Sequence, residues 1–236
     1  MLKIGNVRKG YRRFSSTGVR QQRAKSTEPV SPLSPSTKTL TATLNNDKLI
    51  MKIIKRILLL LFIFITVGLI FRGCLFRQLV TYKSVGVRTN YSATDEKLID
   101  YININTDKLA ESDIEQIIKL GLSITSKKLN FTAEKNNIDP NKLISSKTAH
   151  CVGYASFFAT TCNYLLVKYN LADTWTAKPQ VGQLYFLGTN IHNCFNSSFF
   201  KDHDFVTIEN KKTGLIFAVD PTVNDYLFID FVTFNK

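Results

Sequence analysis

The most apolar part of the chain is residues 57–71, fifteen consecutive positions without a charged side chain. As a helix this run covers about 22 Å, less than the roughly 30 Å hydrocarbon core of a bilayer. The flanking Arg56 and Arg72 can extend their charged ends towards the headgroups and make up part of the difference. We therefore predict one transmembrane helix or signal anchor over residues 51–76, in contact with the membrane through residues 57–76.

Apolar residues with helical spacing recur further along the chain. Residues 95–103 predict a short amphipathic helix, and residues 112–128 predict a longer one, for which Ser112 and Glu115 supply a capping box. A third helix is predicted to begin at Cys151. Its apolar positions fit one helical face and are 151, 155, 158, 162, 165 and 169.

The last third of the chain has the composition of strands. Residues 181–187 form one strand-like run, and residues 203–209 and 215–222 flank a short polar loop that ends in Gly214. The two runs around the loop predict an antiparallel hairpin.

The register of this hairpin determines which side chains meet. If Glu209 pairs near Leu215, then His203 lies opposite Asp220 or Pro221 at the open end of the hairpin. The Cβ atoms of directly opposed residues are about 5 Å apart, so an imidazole and a carboxylate there can form a hydrogen bond.

Together these patterns predict an α+β domain over residues 95–236, with a helical first half and a central cysteine-bearing helix packed on an antiparallel sheet that begins near residue 181. Residues 77–94 are predicted to be a juxtamembrane linker with one short extended piece. Residues 1–50 are rich in Ser, Thr, Arg and Lys, with prolines at three-residue intervals and no apolar period. This composition predicts a disordered basic tail.

The net charge of +13 is concentrated in that tail. Residues 1–56 carry 13 basic against two acidic residues, whereas the remaining 180 residues carry 18 basic and 16 acidic ones. The domain is therefore nearly neutral, which argues against a nucleic-acid-binding face. The positive-inside rule predicts a single-pass protein with a cytoplasmic N-terminus and an extracytoplasmic domain, periplasmic if the protein is bacterial. If instead Met51 begins a secretory signal, residues 1–50 are not part of the mature product.

The chain has four cysteines, without a Cys-x-x-Cys pair or a histidine at metal-ligand spacing, so neither a metal nor a cofactor is expected. Cys162 follows Cys151 on the same helical face and is predicted to pack in the core. A disulfide between Cys162 and Cys194 and lipidation of Cys74 remain open alternatives. The cysteines are Cys74, Cys151, Cys162 and Cys194.

Cys151 is the candidate for covalent chemistry. The first turn of a helix has unpaired N–H groups and the positive end of the dipole, and both favour a thiolate. His203 is then the candidate base, and Asp220 the residue that orients its ring. His150 and His192 lie in short polar segments and are interpreted as loop residues that border the site at most.

These residues resemble the transglutaminase-like branch of the papain-like cysteine enzymes. The resemblance rests on three motifs in order, with gaps of 52 and 17 positions that look typical of the family. It implies a catalytic triad of Cys151, His203 and Asp220 that transfers an acyl group or hydrolyses a protein or peptide amide through a thioester, without a cofactor. The motifs are Cys151-Val152-Gly153-Tyr154-Ala155, His203-Asp204-Phe205-Val206 and Asp220-Pro221-Thr222.

The chain also departs from that family. Many members have Trp where this chain has Phe205, and Arg or Trp where it has Val152. From its position, the backbone N–H of Cys151 is the candidate oxyanion donor. The alternative hypothesis is a non-catalytic, membrane-tethered module that keeps the fold as a binding surface.

Overall fold

The computed structural model describes residues 37–106, 113–197 and 200–235, and the chain divides into two compact units, residues 1–55 and 56–236. The described part combines helices and strands. In chain order the elements are α1 Thr37–Ile70, α2 Arg72–Leu79, β1 Val80–Val87, α3 Glu96–Ile104, α4 Ile114–Lys128, β2 Asn130–Phe131, α5 Pro140–Leu143, β3 Thr148–Ala149, α6 Cys151–Lys168, β4 Trp175–Phe186, β5 Thr189–Asn190, a 3₁₀ turn Ile191–Cys194, β6 His203–Asn210, β7 Ile216–Val219, α7 Pro221–Leu227 and β8 Thr233–Asn235.

Helix α1 contains the predicted apolar segment. Its stretch Ile50–Ile70 has 21 residues with a mean hydropathy of 2.6, none of it buried, and is long and apolar enough to span a membrane. The predicted disordered tail is wrong for residues 37–50, which are helical, whereas residues 1–36 lie outside the described residues. The physical reason is that no Gly or Pro occurs between Pro35 and Gly68 to interrupt the helix.

The predicted linker over residues 77–94, with its short extended piece, contains the end of a helix and a full strand of the sheet. Helix α2 runs to Leu79, and β1 then enters the middle of the sheet between β4 and β8. In β1 the side chain of Tyr82 is buried and its neighbours are partly or fully exposed. The strand therefore lacks the clear alternation of apolar and polar residues that identifies most half-buried strands.

The sheet has the strand order β7-β6-β4-β1-β8, and β5 pairs with β4 at one end. All neighbours on this path are antiparallel except β1 and β8, which are parallel. The antiparallel prediction is thus correct for most pairs. The predicted strand near residue 181 is β4, which begins earlier, at Trp175, and the sheet also includes β1.

Helix α6 packs against α4 on one side and against β4 and β6 on the other. Such a position requires a helix that is apolar around most of its circumference, and most of its residues are indeed buried. The close approach of α4 depends on Gly121, where an added Cβ would lie 2.8 Å from the Cys162 sulfur.

The two helices predicted before α6 are present, with shifted ends. The shorter one begins after Asp95, whose side chain accepts a hydrogen bond from Lys97 N. For α4 the cap is Asp113, which accepts from Gln116 N, and the predicted cap Ser112 lies outside the described residues.

Candidate functional site

Cys151 is the first residue of α6, as predicted. The helix begins there because His150 has an extended backbone, with φ −89° and ψ −179°, while its carbonyl already accepts the first helical hydrogen bond from Tyr154 N. The Cys151 side chain is 8% exposed and borders a cavity of about 390 Å³. A buried sulfur is thus accessible from one side only.

His203 is the first residue of β6 and lies beside Cys151. Its Nε2–H donates to Asp220 Oδ2 at 2.6 Å, and His203 lines the same cavity as Cys151, which contributes to raising the pKa of His203. Because Nε2 is taken by Asp220, Nδ1 is the nitrogen left for the sulfur. The three side chains predicted to meet are therefore brought together, with a hydrogen bond between His203 and Asp220 and with His203 and Cys151 lining one cavity.

The register that brings His203 to Asp220 differs from the predicted one by one residue. Glu209 pairs with Ile216 rather than with Leu215, and the ladder ends where Val206 pairs with Val219. Continuing this register sets Asp220 diagonally across from His203 instead of directly opposite. Diagonal neighbours share a face of the sheet, so the long imidazole side chain still reaches the carboxylate.

Asp220 is completely buried, and every acceptor direction is used. Oδ2 accepts from His203 and from the Tyr82 hydroxyl at 2.8 Å, and Oδ1 accepts from the backbone N–H groups of Thr222 and Val223 at 2.9 and 3.1 Å. Asp220 is thus also the N-cap of α7, with Pro221 in the first helical position. The Asp-Pro-Thr motif is therefore explained by the capping of α7 as well as by the hydrogen bond between Asp220 and His203.

The pair of Asp220 and His203 favours the charged forms of both groups. Burial raises the pKa of Asp220, but the nearby His203 and hydrogen bonds from His203 and Tyr82 outweigh this effect and lower it. Burial lowers the pKa of His203, but Asp220 and Cys151 together raise it well above its ordinary value. The imidazolium is therefore stabilised next to the sulfur.

Tyr82 was missed by sequence reasoning, because β1 was interpreted as a linker. Its ring is fully buried, edge-on to His203 at 6.3 Å and to Phe205 at 5.3 Å between ring centres. Burial and the adjacent Asp220 raise the pKa of Tyr82 well above its ordinary value, so the hydroxyl keeps its proton and acts as a donor. The buried Phe205 thus packs beneath the catalytic candidates.

Arg88 was missed as well. Its guanidinium donates to both oxygens of the fully buried Asp204, at 2.8 and 2.9 Å. The hydrogen bond to Asp204 raises the pKa of Arg88, with smaller contributions in the same direction from Asp202 and Cys151. A cation held by a buried carboxylate therefore contributes to the charge around Cys151. The signal in the sequence was weak, because one Arg after a short strand carries no pattern.

The cavity beside Cys151 is mainly apolar. Its polar wall includes His192, predicted to be a loop histidine but buried in the structure, with its Nδ1 2.7 Å from the Phe200 carbonyl oxygen. His150 directly precedes Cys151 in the chain, and burial lowers its pKa. The apolar lining consists of Phe131, Ala133, Leu184, Ile191, Phe195 and Phe200.

The four cysteines are all free. Cys162 is buried and Cys194 is exposed, so the disulfide considered between them is not formed. Within the described ranges, no cluster of three His, Cys, Asp or Glu side chains could hold a metal ion.

Comparisons with known proteins supply no relative for this chain. No protein-family model matches it, and neither the curated proteins nor the solved structures gave a match.

Proposed function

We propose that this protein is a membrane-anchored cysteine enzyme that transfers or hydrolyses acyl groups through a thioester on Cys151. The observation that carries the proposal is that His203, hydrogen-bonded to the buried Asp220, lines the same cavity as Cys151. These side chains, 52 and 17 positions apart in the sequence, are a thiol, an imidazole and a carboxylate, the set that nucleophilic catalysis by cysteine uses. The proposal extends to the family: the chain is proposed to be a member of the transglutaminase-like branch of papain-like enzymes, which it resembles in three motifs.

The proposed reaction has two steps. In the first, the Cys151 sulfur bonds to the acyl carbon of an amide, the carbon–nitrogen bond breaks, and His203 gives its proton to the leaving nitrogen. In the second, water or an amine attacks the thioester, His203 takes a proton from the attacking atom, and the carbon–sulfur bond breaks. Asp220 keeps Nε2 protonated and the ring in position throughout.

The negative charge that develops on the acyl oxygen needs donors close to the sulfur. The first N–H groups of α6, beginning with that of Cys151, point towards this end of the helix and have no carbonyl partner within it. The nearby charge of Arg88 adds to the favourable potential, although Asp204 neutralises much of it. The apolar cavity favours a substrate whose acyl part, or the residue beside it, is apolar.

The membrane anchor is the helix segment Ile50–Ile70. The excess of basic residues before it supports a cytoplasmic N-terminus, with the domain on the opposite side of the membrane. Proteins and peptides on that side are the proposed source of amide substrates.

The experiment compares cysteines within one protein. The full chain in detergent is treated with iodoacetamide at about pH 6, where an ordinary thiol with a pKa of about 8.5 is almost unreactive. Mass spectrometry then gives a separate alkylation rate for each cysteine. We expect Cys151 to react faster than the exposed Cys74 and Cys194, although its side chain is less accessible.

The control is His203→Ala, which should remove this advantage without changing the rates at Cys74 and Cys194. A Cys151 that reacts no faster than the exposed cysteines in the unaltered protein would contradict the proposal. It would leave the non-catalytic, membrane-tethered module as the better interpretation.

A further inference from the structure

We propose that the end of α7, formed by Tyr226, Leu227 and Phe228 and here named the α7 tip, is a membrane-contacting surface in the lipid headgroup region. It goes beyond the proposed reaction, and it rests on one part of the proposed function, the membrane-spanning role of Ile50–Ile70. The argument depends on the exposure of the tip and on its link to the end of the apolar helix.

The α7 tip presents three consecutive apolar or aromatic side chains to solvent. Tyr226 is 56% exposed, Leu227 46% and Phe228 72%. Single exposed apolar residues are normal on protein surfaces, whereas contiguous ones indicate contact with another apolar phase. Phe228 also has φ 54° and ψ 47°, a left-handed conformation that is uncommon for an aromatic residue.

Arg72 connects this tip directly to the apolar helix. Its Nε donates to the Leu227 carbonyl oxygen at 2.7 Å, and its guanidinium lies 5.7 Å from the centre of the Phe228 ring. The same side chain donates through Nη1 to the Leu69 carbonyl oxygen at 3.0 Å. One guanidinium thus joins the last turn of α1 to the end of α7.

The position of Arg72 sets the depth of the tip. It is the first charged residue after the fifteen uncharged residues 57–71, and it follows the end of α1 at Ile70 by two residues, or about 3 Å of helix rise. The headgroup layer on each side of a bilayer is roughly 5–8 Å thick. A span that ends at Ile70 therefore leaves Arg72, and the backbone it binds, within that layer.

The chemistry of the tip fits the bilayer better than a protein partner. Aromatic rings and arginines are enriched at the level of the headgroups, where a ring contacts acyl chains and a guanidinium contacts phosphates. A surface joined to the end of a span by a hydrogen bond is held against lipid before any protein can reach it. The tip therefore limits how the domain tilts on the membrane.

The α7 tip also borders a second cavity, of about 410 Å³, between α7 and Phe131. Phe131 lines the Cys151 cavity as well. A tip in the headgroup layer consequently keeps the candidate site near the membrane surface, an arrangement that favours substrates presented there.

The test is fluorescence quenching of the full chain in phosphatidylcholine vesicles whose lipids carry bromine near the top of the acyl chain. Tryptophan is introduced separately as Phe228→Trp and Tyr226→Trp at the tip. Phe71→Trp reports on the end of the span, and Val167→Trp is an exposed control on α6. The signal of the buried native Trp175 is subtracted by measuring the unaltered protein.

We expect both tip variants to be quenched to nearly the same extent as Phe71→Trp, and Val167→Trp to be unaffected. Quenching at residue 71 without quenching at residues 226 and 228 would overturn the membrane-contacting surface and leave the span intact. The absence of quenching at residue 71 would overturn the span, and with it both the anchor and the tip. A quenched tip with an equally quenched Val167→Trp would mean nonspecific adsorption and would also overturn the proposal.

Discussion

The first turn and the middle of α6 each carry a cysteine on the same face of the helix, yet their surroundings differ. Cys151 lines a cavity together with His203, whereas Cys162 is 1% exposed and packs against Gly121 and α4. Burial without a polar partner raises the pKa of Cys162 and leaves it an unreactive thiol. The comparison teaches that the position along the helix and the element packed against it, not the residue type, determine what a cysteine does.

The largest expected effect separates the two cysteines by activity. Cys151→Ala should reduce hydrolysis of an activated ester such as p-nitrophenyl hexanoate by roughly 10⁴-fold or more, because the covalent step is lost. Cys162→Ala should keep most of the activity and lose only stability, because it opens a small cavity in the core. Equal residual activities of the two variants would show that the first turn of α6 is not the reactive region.

The next effect concerns the group that orients His203. Asp220→Asn keeps an oxygen to cap α7 but cannot hold Nε2 protonated and paired with a carboxylate. We expect ester hydrolysis, measured below the unfolding temperature of the variant, to fall by about 10²- to 10⁴-fold, and the thermal transition to fall as well because the charged pair with His203 is lost. A variant that retained full hydrolysis would break the link between Asp220 and the chemistry and reduce the residue to a helix cap.

Two glycines allow the surroundings of Cys151 and those of Cys162 to be perturbed separately. An added Cβ at Gly182 would lie 2.6 Å from the His203 carbonyl oxygen, and one at Gly121 would lie 2.8 Å from the Cys162 sulfur. Each substitution to Ala should cost about 1–3 kcal/mol of unfolding free energy by overpacking. Only Gly182→Ala should slow alkylation of Cys151 by iodoacetamide, because it displaces the strand that carries His203.

The matched control for the sheet is Gly86→Ala, where the nearest atoms to an added Cβ are 3.7 Å away, an ordinary contact. For the helix, combining Gly121→Ala with Cys162→Ala should recover part of the lost stability by removing the sulfur. If Gly121→Ala slowed alkylation of Cys151 as much as Gly182→Ala, the surroundings of the two cysteines would not be independent.

The smallest expected effect is a pH dependence of stability that comes from the pair of His203 and Asp220 near Cys151 and has no counterpart around Cys162. The folded-state pKa of His203 is raised from 6.5, so its contribution is complete below pH 6.5 and is lost as the pH rises through the raised value. The pKa of Asp220 is lowered from 3.8, so its contribution is present above pH 3.8 and is lost as the pH falls through the lowered value. The pair therefore stabilises most between these limits.

Urea unfolding of the full chain and of His203→Gln checks this prediction. The difference in unfolding free energy should be largest between pH 3.8 and 6.5 and should shrink, by an amount on the order of 1 kcal/mol, at higher pH. Cys162→Ala, measured in parallel, should show a difference that does not vary over this range. A constant difference for His203→Gln would contradict the charged pairing.

Much of the fold could be predicted from local patterns. The start of α6 at Cys151, the helix before residue 104, most of α4 and the hairpin all follow from periodicity and turn residues. The N-terminal end of α1 and the first strand of the sheet, β1, could not be predicted in the same way. In α1 the helix extends to Thr37 through a segment of polar composition, and in β1 the single buried Tyr82 leaves no alternation to detect.

The candidate site shows the same division. Cys151, His203 and Asp220 stand out because a nucleophile, a base and an acid occur in order beside recognisable elements. Tyr82 and Arg88 do not, since their roles depend on a strand that enters the sheet from a distant part of the chain.

The sequence alone determined the order of the candidate catalytic residues along the chain, the position of the apolar helix and the residue at which the cysteine-bearing helix begins. These features depend on residue type and on spacing over a few neighbouring residues. Only the tertiary structure decided that Tyr82 and His203 share one carboxylate, that the hairpin register is shifted by one residue, and that Arg72 binds the end of α7. Each of these contacts joins residues that are distant in the chain or depends on a single-residue shift, which hydrophobic periodicity does not encode.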